Sequence, residues 1–264
     1  MARFHNYLLG ALLPALLAVF SCGCKAQGQE VTNNQQGNPK ACCAEAPRYW
    51  SVDDWFRCNL GPDTPKEAEM RAAGLIDIHD LDSTFAVKMI YCGPYNFMGH
   101  QLYHGFTKAM MRPELAEKLV AANRKLKEMR PTLNLIIYDA ARPISIQKEM
   151  WDAVVGTPAS GYVANPYKGH GLHNYGAAVD VAIIDCTGNP IPMGSEYDFF
   201  GAEARTDDEA NLLKSGKITR RELDNRLLLR RIMEEQGLKK ITSEWWHFNL
   251  MSAEEAQKKL KIIE

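Results

Sequence analysis

Asp180 is surrounded by apolar residues, with Val179 and Val181 as its neighbours in the run 178–184. A short run of this kind, rich in β-branched residues, predicts a buried strand. A carboxylate inside such a strand is costly to bury unless a cation or several hydrogen-bond donors compensate its charge. The fold therefore has to supply Asp180 with a metal ion, an arginine or another salt-bridge partner.

His173 lies in the chain shortly before this aspartate, in a segment of different character. Residues 163–174 are rich in Gly, Asn, Pro and His, which predicts a loop. Gly176 allows the chain to turn sharply between this loop and the strand. Imidazole and carboxylate groups are both zinc ligands, so His173 and Asp180 are candidates for one metal site, with His170 as a rival ligand in the same loop.

The motif Glu-Trp-Trp-His, at residues 244–247, supplies a further histidine and a carboxylate. Its aromatic residues favour a strand over residues 245–250, which places Glu244 at the mouth of the strand. A single histidine among tryptophans is more often packed in a core. Its joint occurrence with His173 and Asp180 favours a zinc ligand instead, with Glu244 as the carboxylate that does not bind the metal but handles protons.

Two further charged residues have both a chemical and a structural interpretation. Arg142 follows an apolar run, 133–138, where its fixed guanidinium could stabilise a developing oxyanion. It could equally pair with Asp139 and hold the turn. Asp198 lies between aromatic residues, where it could receive a substrate ammonium or cap a turn.

The N-terminus resembles an export signal. Arg3 precedes an apolar run, residues 7–20, which has the length of a signal-peptide core and is too short to span a bilayer comfortably. Cys22, directly after Ser21, resembles the lipidation site of bacterial lipoproteins, although Phe20 is bulky where a small residue is usual; cleavage after Ala26 would instead give a soluble secreted protein. Residues 27–46 are polar and poor in aromatic residues, which predicts a flexible linker. We therefore expect an exported protein, either periplasmic or anchored to a membrane only through lipid.

Composition limits the class of protein. The chain has 264 residues, of which 46% are hydrophobic, which suits one globular domain over residues 47–264. With 31 basic and 32 acidic residues, no basic excess indicates nucleic-acid binding. No CxxC pair occurs, so a cysteine zinc site is not expected, while disulfides are plausible outside the cytoplasm. The seven cysteines are Cys22, Cys24, Cys42, Cys43, Cys58, Cys92 and Cys186.

Hydrophobic periodicity and capping signals predict alternating helices and strands. Strands are expected at residues 75–78, 85–91, 133–138, 178–184 and 245–250. Helices are expected at residues 65–73, 114–129, 145–154 with a serine cap, 208–216, 219–236 with a Thr219/Glu222 capping box, and 252–261. The order is too irregular for a doubly wound parallel sheet, so the pattern favours an α+β domain.

The pattern His173-x-x-Gly176-x-Ala178-x-Asp180, followed by Glu244-x-x-His247, resembles the zinc D-alanyl-D-alanine metallopeptidases. That superfamily also includes lysostaphin-type endopeptidases and the hedgehog signalling domain, and the similarity is greatest to the D-Ala-D-Ala dipeptidases. It covers roughly residues 77–250. Other similar segments, in the same order, are Asn96-Phe97, residues 138–143, residues 192–195 with Asp198, residues 225–228 and residues 244–248.

The resemblance implies a small antiparallel sheet flanked by helices, with one zinc ion at the sheet. It implies that Glu244 is the general base that takes a proton from the metal-bound water, and that Arg142 stabilises the tetrahedral intermediate. The implied zinc ligands are His173, Asp180 and His247, and the implied substrate-binding residues are Asp198, Ser195 and Tyr138. The chain departs from the family at Gly171, where a serine is usual, and at Ala140-Ala141, where Gly-Tyr is common.

The expected function is that of an exported zinc peptidase that hydrolyses D-alanyl-D-alanine or similar small dipeptides in peptidoglycan turnover. One alternative is a D,D- or L,D-carboxypeptidase that trims cell-wall peptides. Another is a zinc-binding lipoprotein without catalytic activity. The presence of Glu244, which is not a ligand, argues against the last of these, because a structural zinc site has no use for it.

Overall fold

The computed structural model describes residues 61–169 and 171–264. The predicted export segment, the linker and the rival ligand His170 lie outside these residues. Within them, no helix combines the length and the apolar character that a membrane span requires.

The predicted helices are present in the described residues. Their bounds are α1 Pro65–Ala72, α2 Pro113–Met129, α3 Ile144–Val154, α4 Glu209–Lys214, α5 Arg220–Glu234 and α6 Ala253–Lys259. The capping box of α5 is confirmed, because Thr219 accepts a bond from the Glu222 amide and the Glu222 carboxylate accepts one from the Thr219 amide. The serine cap predicted for α3 is wrong: Pro143 is the N-cap, and no side chain caps the helix.

The strands within residues 61–169 and 171–264 form two sheets. Their bounds are β1 Ile76–Asp77, β2 Ala86–Val87, β3 Met110–Met111, β4 Leu133–Asp139, β5 Ala178–Asp185, β6 Lys239–Lys240 and β7 His247–Asn249. β1 and β3 pair with each other, and the larger sheet has five strands in the order β2-β4-β5-β7-β6. The α+β class is therefore confirmed.

The larger sheet is antiparallel as expected, except for one strand pair at its edge. The pairs from β4 through β5 and β7 to β6 are antiparallel, but β2 runs parallel to β4. The chain between β2 and β4 includes β3 and α2, and a long crossover of this kind is what parallel neighbours require. The apolar run 85–91 did not reveal this, because only two of its residues form strand and a 3₁₀ turn follows at Ile90–Cys92.

The core lies between the central strands and the long helices. α2 buries Leu115, Leu119 and Leu126 completely and packs on β4 and α5. β4 and β5 are buried along most of their length, which explains why both read as apolar runs without alternation.

The register of the strands places two aspartates and one histidine side by side on three neighbouring strands. Asp180 in β5 is the direct partner of His247 in β7, and Asp139 in β4 is its partner on the other side. Directly opposed residues on neighbouring strands project to the same face. The sheet therefore collects residues that are far apart in the sequence at a single place.

Gly176 provides the turn between His173 and β5. Its φ is +65°, and a Cβ built on it would lie 2.7 Å from Leu75 Cδ2. A side chain here would meet both an unfavourable backbone conformation and a steric overlap.

We expect Gly176→Ala to lower the free energy of unfolding by about 2–5 kcal/mol, the sum of the left-handed backbone cost and overpacking. Urea unfolding of the metal-free protein measures the change. Gly216→Ala is the matched control, because its φ is +72° but nothing lies within 4 Å of the added Cβ. An equal loss in both variants would show that contact with Leu75 adds nothing.

Candidate active site

His173, Asp180 and His247 converge below the surface of the domain. The Nε2 atom of His173 lies 3.1 Å from His247 Nδ1 and 3.3 Å from Asp180 Oδ1. The Asp180 Oδ1 atom lies 3.0 Å from His247 Nδ1. All three side chains are buried, and the described residues contain no other group of three such side chains placed to share a metal ion.

Hydrogen bonds on the outer sides of both imidazoles fix which nitrogen faces the centre. His173 Nδ1 lies 2.6 Å from the carbonyl oxygen of Ala140, and His247 Nε2 lies 2.7 Å from Asn249 Oδ1. When the rings are neutral, as metal ligands must be, each of these outer nitrogens carries the proton and the inner nitrogens present lone pairs. Two lone pairs and a carboxylate oxygen then face one another, an arrangement that requires a cation between them.

Without a metal ion, the imidazoles themselves supply positive charge to Asp180: burial lowers the pKa of His173, but the charges of Asp180 and Asp139 outweigh burial and raise that pKa. Burial alone would raise the pKa of Asp180, but His173 and His247 together hold the pKa of Asp180 well below its usual range. Tyr197 adds a further bond, because its hydroxyl donates to Asp180 Oδ2 at 2.9 Å. Asp180 is therefore an anion with one oxygen directed at the two imidazoles and the other held by a phenol.

Glu244 lines the same cavity as the three converging residues. It precedes β7, as predicted from the aromatic strand that follows it. Burial raises the pKa of Glu244 to about 7, with the negative charges of Asp180 and Asp198 acting in the same direction and His247 opposing them. A carboxyl group with a pKa near neutrality can both accept and release a proton during one reaction cycle.

Arg142 pairs with Asp139, which was the structural interpretation of this arginine in the sequence. Its Nε and Nη2 atoms donate to Asp139 Oδ2, at 3.0 and 2.5 Å, and its Nη1 atom donates to Gln147 Oε1 at 2.9 Å. These bonds leave one N–H on each terminal nitrogen, while the side chain lines the cavity. Arg142 can therefore hold the turn and present a fixed positive charge to a ligand at once.

Asp198 enters the same cavity from a different segment. The Tyr91 hydroxyl donates to Asp198 Oδ1 at 3.0 Å, while Oδ2 is buried and has no hydrogen-bond partner among the described residues. Burial and the charge of Asp180 raise the pKa of Asp198 to about 7. Its backbone φ of +59° is unusual for a residue other than glycine. A buried acceptor without a donor suits a cationic ligand.

The cavity that joins these groups is small, with a volume of about 350 Å³. Its rim carries three aromatic rings from separate segments. The ring of Phe200 lies 5.0 Å from that of Phe97 and 5.1 Å from that of Tyr162. The volume is at the lower end of the range of about 300–1,000 Å³ found for ligand pockets, which favours a small ligand.

Tyr138 and Ser195 do not line this cavity, so their role in substrate binding stays a prediction. Both line a second cavity that lacks the histidines and Glu244. The reason at Tyr138 is a bulge: β4 pairs regularly up to Ile137, but Asp139 instead of Tyr138 then pairs with Asp180. Ser195 accepts a bond from Trp245 Nε1 at 2.9 Å, and Trp245 lines the second cavity whereas Trp246 lines the first.

Gly171 lies where little space is left for a side chain. A Cβ on it would be 3.2 Å from Ala164 Cβ and 3.6 Å from the buried Asn174 Oδ1. The segment that carries Ala164 therefore occupies the room that the family's serine would use. Ala140-Ala141, the second place where the chain departs from the family pattern, is fully buried. The carbonyl oxygen of Ala140 lies within hydrogen-bond distance of His173 Nδ1.

Several residues of the site were not predicted from the sequence. Tyr91, Gln147, Tyr197 and Asn249 each bond a predicted site residue. Tyr197 lies next to Asp198, so its position beside a predicted site residue could have marked it as part of the site. Tyr91 and Gln147 are far from the motifs in the sequence and carry no local pattern that indicates a role.

Comparison with known proteins agrees with this geometry. A family model described as D-ala-D-ala dipeptidase matches residues 71–263. A D-alanyl-D-alanine dipeptidase of Synechocystis sp. is 27% identical over 192 residues, covering 62% of this chain and 77% of that protein. Those of Escherichia coli and Enterococcus faecium are 37% and 30% identical, over 46% and 52% of this chain and 57% and 71% of theirs. The chain therefore belongs to the D-Ala-D-Ala dipeptidase family of metal-dependent peptidases.

Proposed function

We propose that this protein is an exported zinc dipeptidase that hydrolyses D-alanyl-D-alanine, or a dipeptide of similar size, during peptidoglycan turnover. The observation that carries the proposal is the content of one small cavity. It combines three converging metal-ligand atoms, a carboxyl group of raised pKa, a fixed guanidinium and a buried carboxylate oxygen without a donor.

The three ligand atoms fit zinc. Their separations of 3.0–3.3 Å match the spacing of about 3.3 Å between ligands of a tetrahedral zinc ion with bonds of about 2.0–2.1 Å. His173, Asp180 and His247 would hold the ion and leave one position open. A zinc ion bound there supplies a water molecule of lowered pKa and polarises the carbonyl group of the peptide.

The other residues of the cavity would transfer the proton, stabilise the oxyanion and position the substrate. Glu244 takes the proton of the attacking water and later donates it to the leaving amine. The two remaining N–H groups of Arg142 stabilise the oxygen that gains negative charge. Asp198 receives the free ammonium of the dipeptide at its open oxygen and so positions the scissile bond.

Substrate length tests this proposal directly. We expect the zinc-loaded protein to cleave D-Ala-D-Ala but neither its N-acetyl derivative nor a cell-wall pentapeptide, because only the free dipeptide has an ammonium next to the scissile bond. Asp198→Asn should lower kcat/KM for the free dipeptide by about 10–100-fold, the loss expected for a hydrogen bond to a charged group. Cleavage of the blocked or longer peptides would indicate a carboxypeptidase instead, and zinc binding without cleavage of any of them would favour a non-catalytic protein.

Tyr197 is predicted to support metal binding through Asp180. Tyr197→Phe removes the hydroxyl that bonds Asp180 Oδ2, so we expect zinc affinity to fall by about 10–100-fold. Competition with a chromogenic chelator measures this without any substrate. Tyr138→Phe is the control, since that hydroxyl lies in the second cavity while its ring packs on Tyr197 at 5.2 Å. Equal affinities in the two variants would contradict the prediction.

Export is proposed from residues 1–46 alone. The apolar run, the cysteine at position 22 and the polar linker favour an exported protein, either periplasmic or anchored to a membrane through lipid. Labelling of cells with radioactive palmitate, followed by fractionation, tests it for the natural protein and for Cys22→Ala. Recovery of unprocessed, unlabelled protein in the cytosol would contradict this part of the proposal and leave the dipeptidase part intact.

A further inference from the structure

Residues 194–202 bring Asp198 to the cavity, and we call this segment the Asp198 loop. It contains no helix or strand, except that a short 3₁₀ turn begins at Ala202. Three of its side chains serve the candidate active site. Tyr197 bonds Asp180, and Asp198 and Phe200 line the cavity. The geometry of the site therefore depends on how firmly the loop is held.

Two adjacent side chains of α5 bind the backbone that leads into the loop. Asn225 Nδ2 donates to the carbonyl oxygen of Pro192 at 2.8 Å. Arg226 Nε donates to the carbonyl oxygen of Met193. Both residues belong to the segment 225–228, which resembles the dipeptidase family but has no part in the chemistry described above.

The same arginine also binds the backbone that leaves the loop. Arg226 Nη2 donates to the carbonyl oxygen of Glu203, and Nη1 donates to that of Arg205 at 3.2 Å. One guanidinium therefore joins the two ends of the Asp198 loop, and Asn225 adds a fourth carbonyl to the set.

Burial shows that this contact is part of the interior. Arg226 is 1% exposed, with Glu209 as an acidic neighbour at 3.8 Å. Gly194, where the loop begins, has a φ of +84°, and a Cβ on it would lie 3.1 Å from Arg226 Nη2 and 2.6 Å from Ile218 Cγ2. A glycine at this position lets the loop approach the guanidinium closely.

We propose that Asn225 and Arg226 are positioning residues that clamp the Asp198 loop so that the Asp198 carboxylate is held ready for the substrate ammonium. The proposal rests on the function proposed above for Asp198. The left-handed backbone of Asp198 and its buried, unpartnered oxygen are both unfavourable in isolation. Contacts outside the loop have to maintain them, and the four carbonyl bonds from α5 are such contacts.

Asn225→Ala is the main test, because it removes one clamp bond without uncovering a buried charge. Arg226→Lys keeps the charge but cannot span both ends of the loop. Arg230→Ala is the matched control: Arg230 is on the same helix and binds Glu209 at 2.7 Å, and none of its hydrogen bonds in the described structure goes to the loop. Hydrogen exchange of the peptide covering residues 194–202 is followed in the metal-free protein, so this readout needs neither zinc nor activity.

We expect Asn225→Ala to speed exchange in the Asp198 loop by about fivefold, the effect of one hydrogen bond, and Arg230→Ala to leave it unchanged. At saturating zinc, Asn225→Ala should raise KM for D-Ala-D-Ala by about the same factor and change kcat less. In an Asp198→Asn background the same substitution should have almost no effect on kcat/KM, because its target is already lost.

Two results would overturn the proposal. One is unchanged loop exchange in both Asn225→Ala and Arg226→Lys. The other is a loss of kcat/KM that is the same with and without Asp198, which would indicate a general loss of stability. The proposed function fails in a different way: Asp198→Asn would then leave hydrolysis of the free dipeptide unchanged, while Asn225→Ala would still loosen the loop.

Discussion

Glu244→Gln is expected to lower kcat for dipeptide hydrolysis by about 10²–10⁴-fold, which is the usual contribution of a general acid–base residue. Glutamine keeps the shape of the side chain but can neither take a proton from water nor return one to the leaving amine. KM should change little, because Glu244 is not among the groups that face the substrate ammonium. Steady-state kinetics with D-Ala-D-Ala measures the effect.

The zinc content of this variant decides its interpretation. We expect one zinc per chain to remain, since Glu244 is not part of the converging ligand set. Glu196→Gln is the matched control, because Glu196 lines the second cavity and not the one with the histidines. If Glu244→Gln kept full zinc and also kept activity within tenfold of the natural protein, Glu244 would not be the general base.

Asp180→Asn is expected to weaken zinc binding by more than about 100-fold, since even residues that only support a ligand cost about 10–100-fold when removed. The substitution replaces the anionic ligand by a neutral amide and leaves two imidazoles, one fewer than the three protein ligands of a catalytic zinc site. Hydrolysis should fall with the metal content, and added zinc should restore only part of it. Equilibrium dialysis and activity are measured on the same sample.

Asp185→Asn is the control for this second substitution. Asp185 is at the other end of β5, where it accepts bonds from the Thr187 amide and hydroxyl instead of facing the histidines. It should therefore keep normal zinc affinity even if its stability is lower. Tight zinc binding by Asp180→Asn would show that this carboxylate is not a ligand and would remove the main support for the proposed metal site.

Local sequence patterns predicted the helices, whose positions depend on residues close together in the sequence. α5 begins with a capping box at Thr219, and the signal for it is contained in four consecutive residues. α2 repeats apolar residues on one face, so its position in the chain followed from periodicity. The prediction of a serine cap for α3 was wrong. Ser145 is a residue type that often caps helices and lies near the helix start, but Pro143 occupies the N-cap position.

Pairings between distant segments did not follow from such patterns. β2 and β3 have two residues each, and their strand character comes from their neighbours in the sheets. The parallel direction of β2 depends on the path of the long connection to β4. Nothing in the run 85–91 records that path, so the sequence could not distinguish the mixed sheet from an antiparallel one.

The chemistry of the site was the part most accessible from sequence. A carboxylate inside the apolar run of β5 needs compensation wherever the fold places it, and this requirement pointed to Asp180 and the two histidines. Glu244 could be placed before β7 because aromatic residues mark the strand that follows. These inferences depend on residue type and short-range order, which the sequence contains in full.

Tertiary structure alone decided which neighbours complete the site. The bulge in β4 turns Asp139 instead of Tyr138 towards Asp180, and a shift of one residue in a strand changes the face of every side chain beyond it. Tyr197 reaches Asp180 from a loop whose two ends are both bound by Arg226. The sequence thus determined which groups needed partners, while the register of the strands and the packing of the loop determined which partners they obtained.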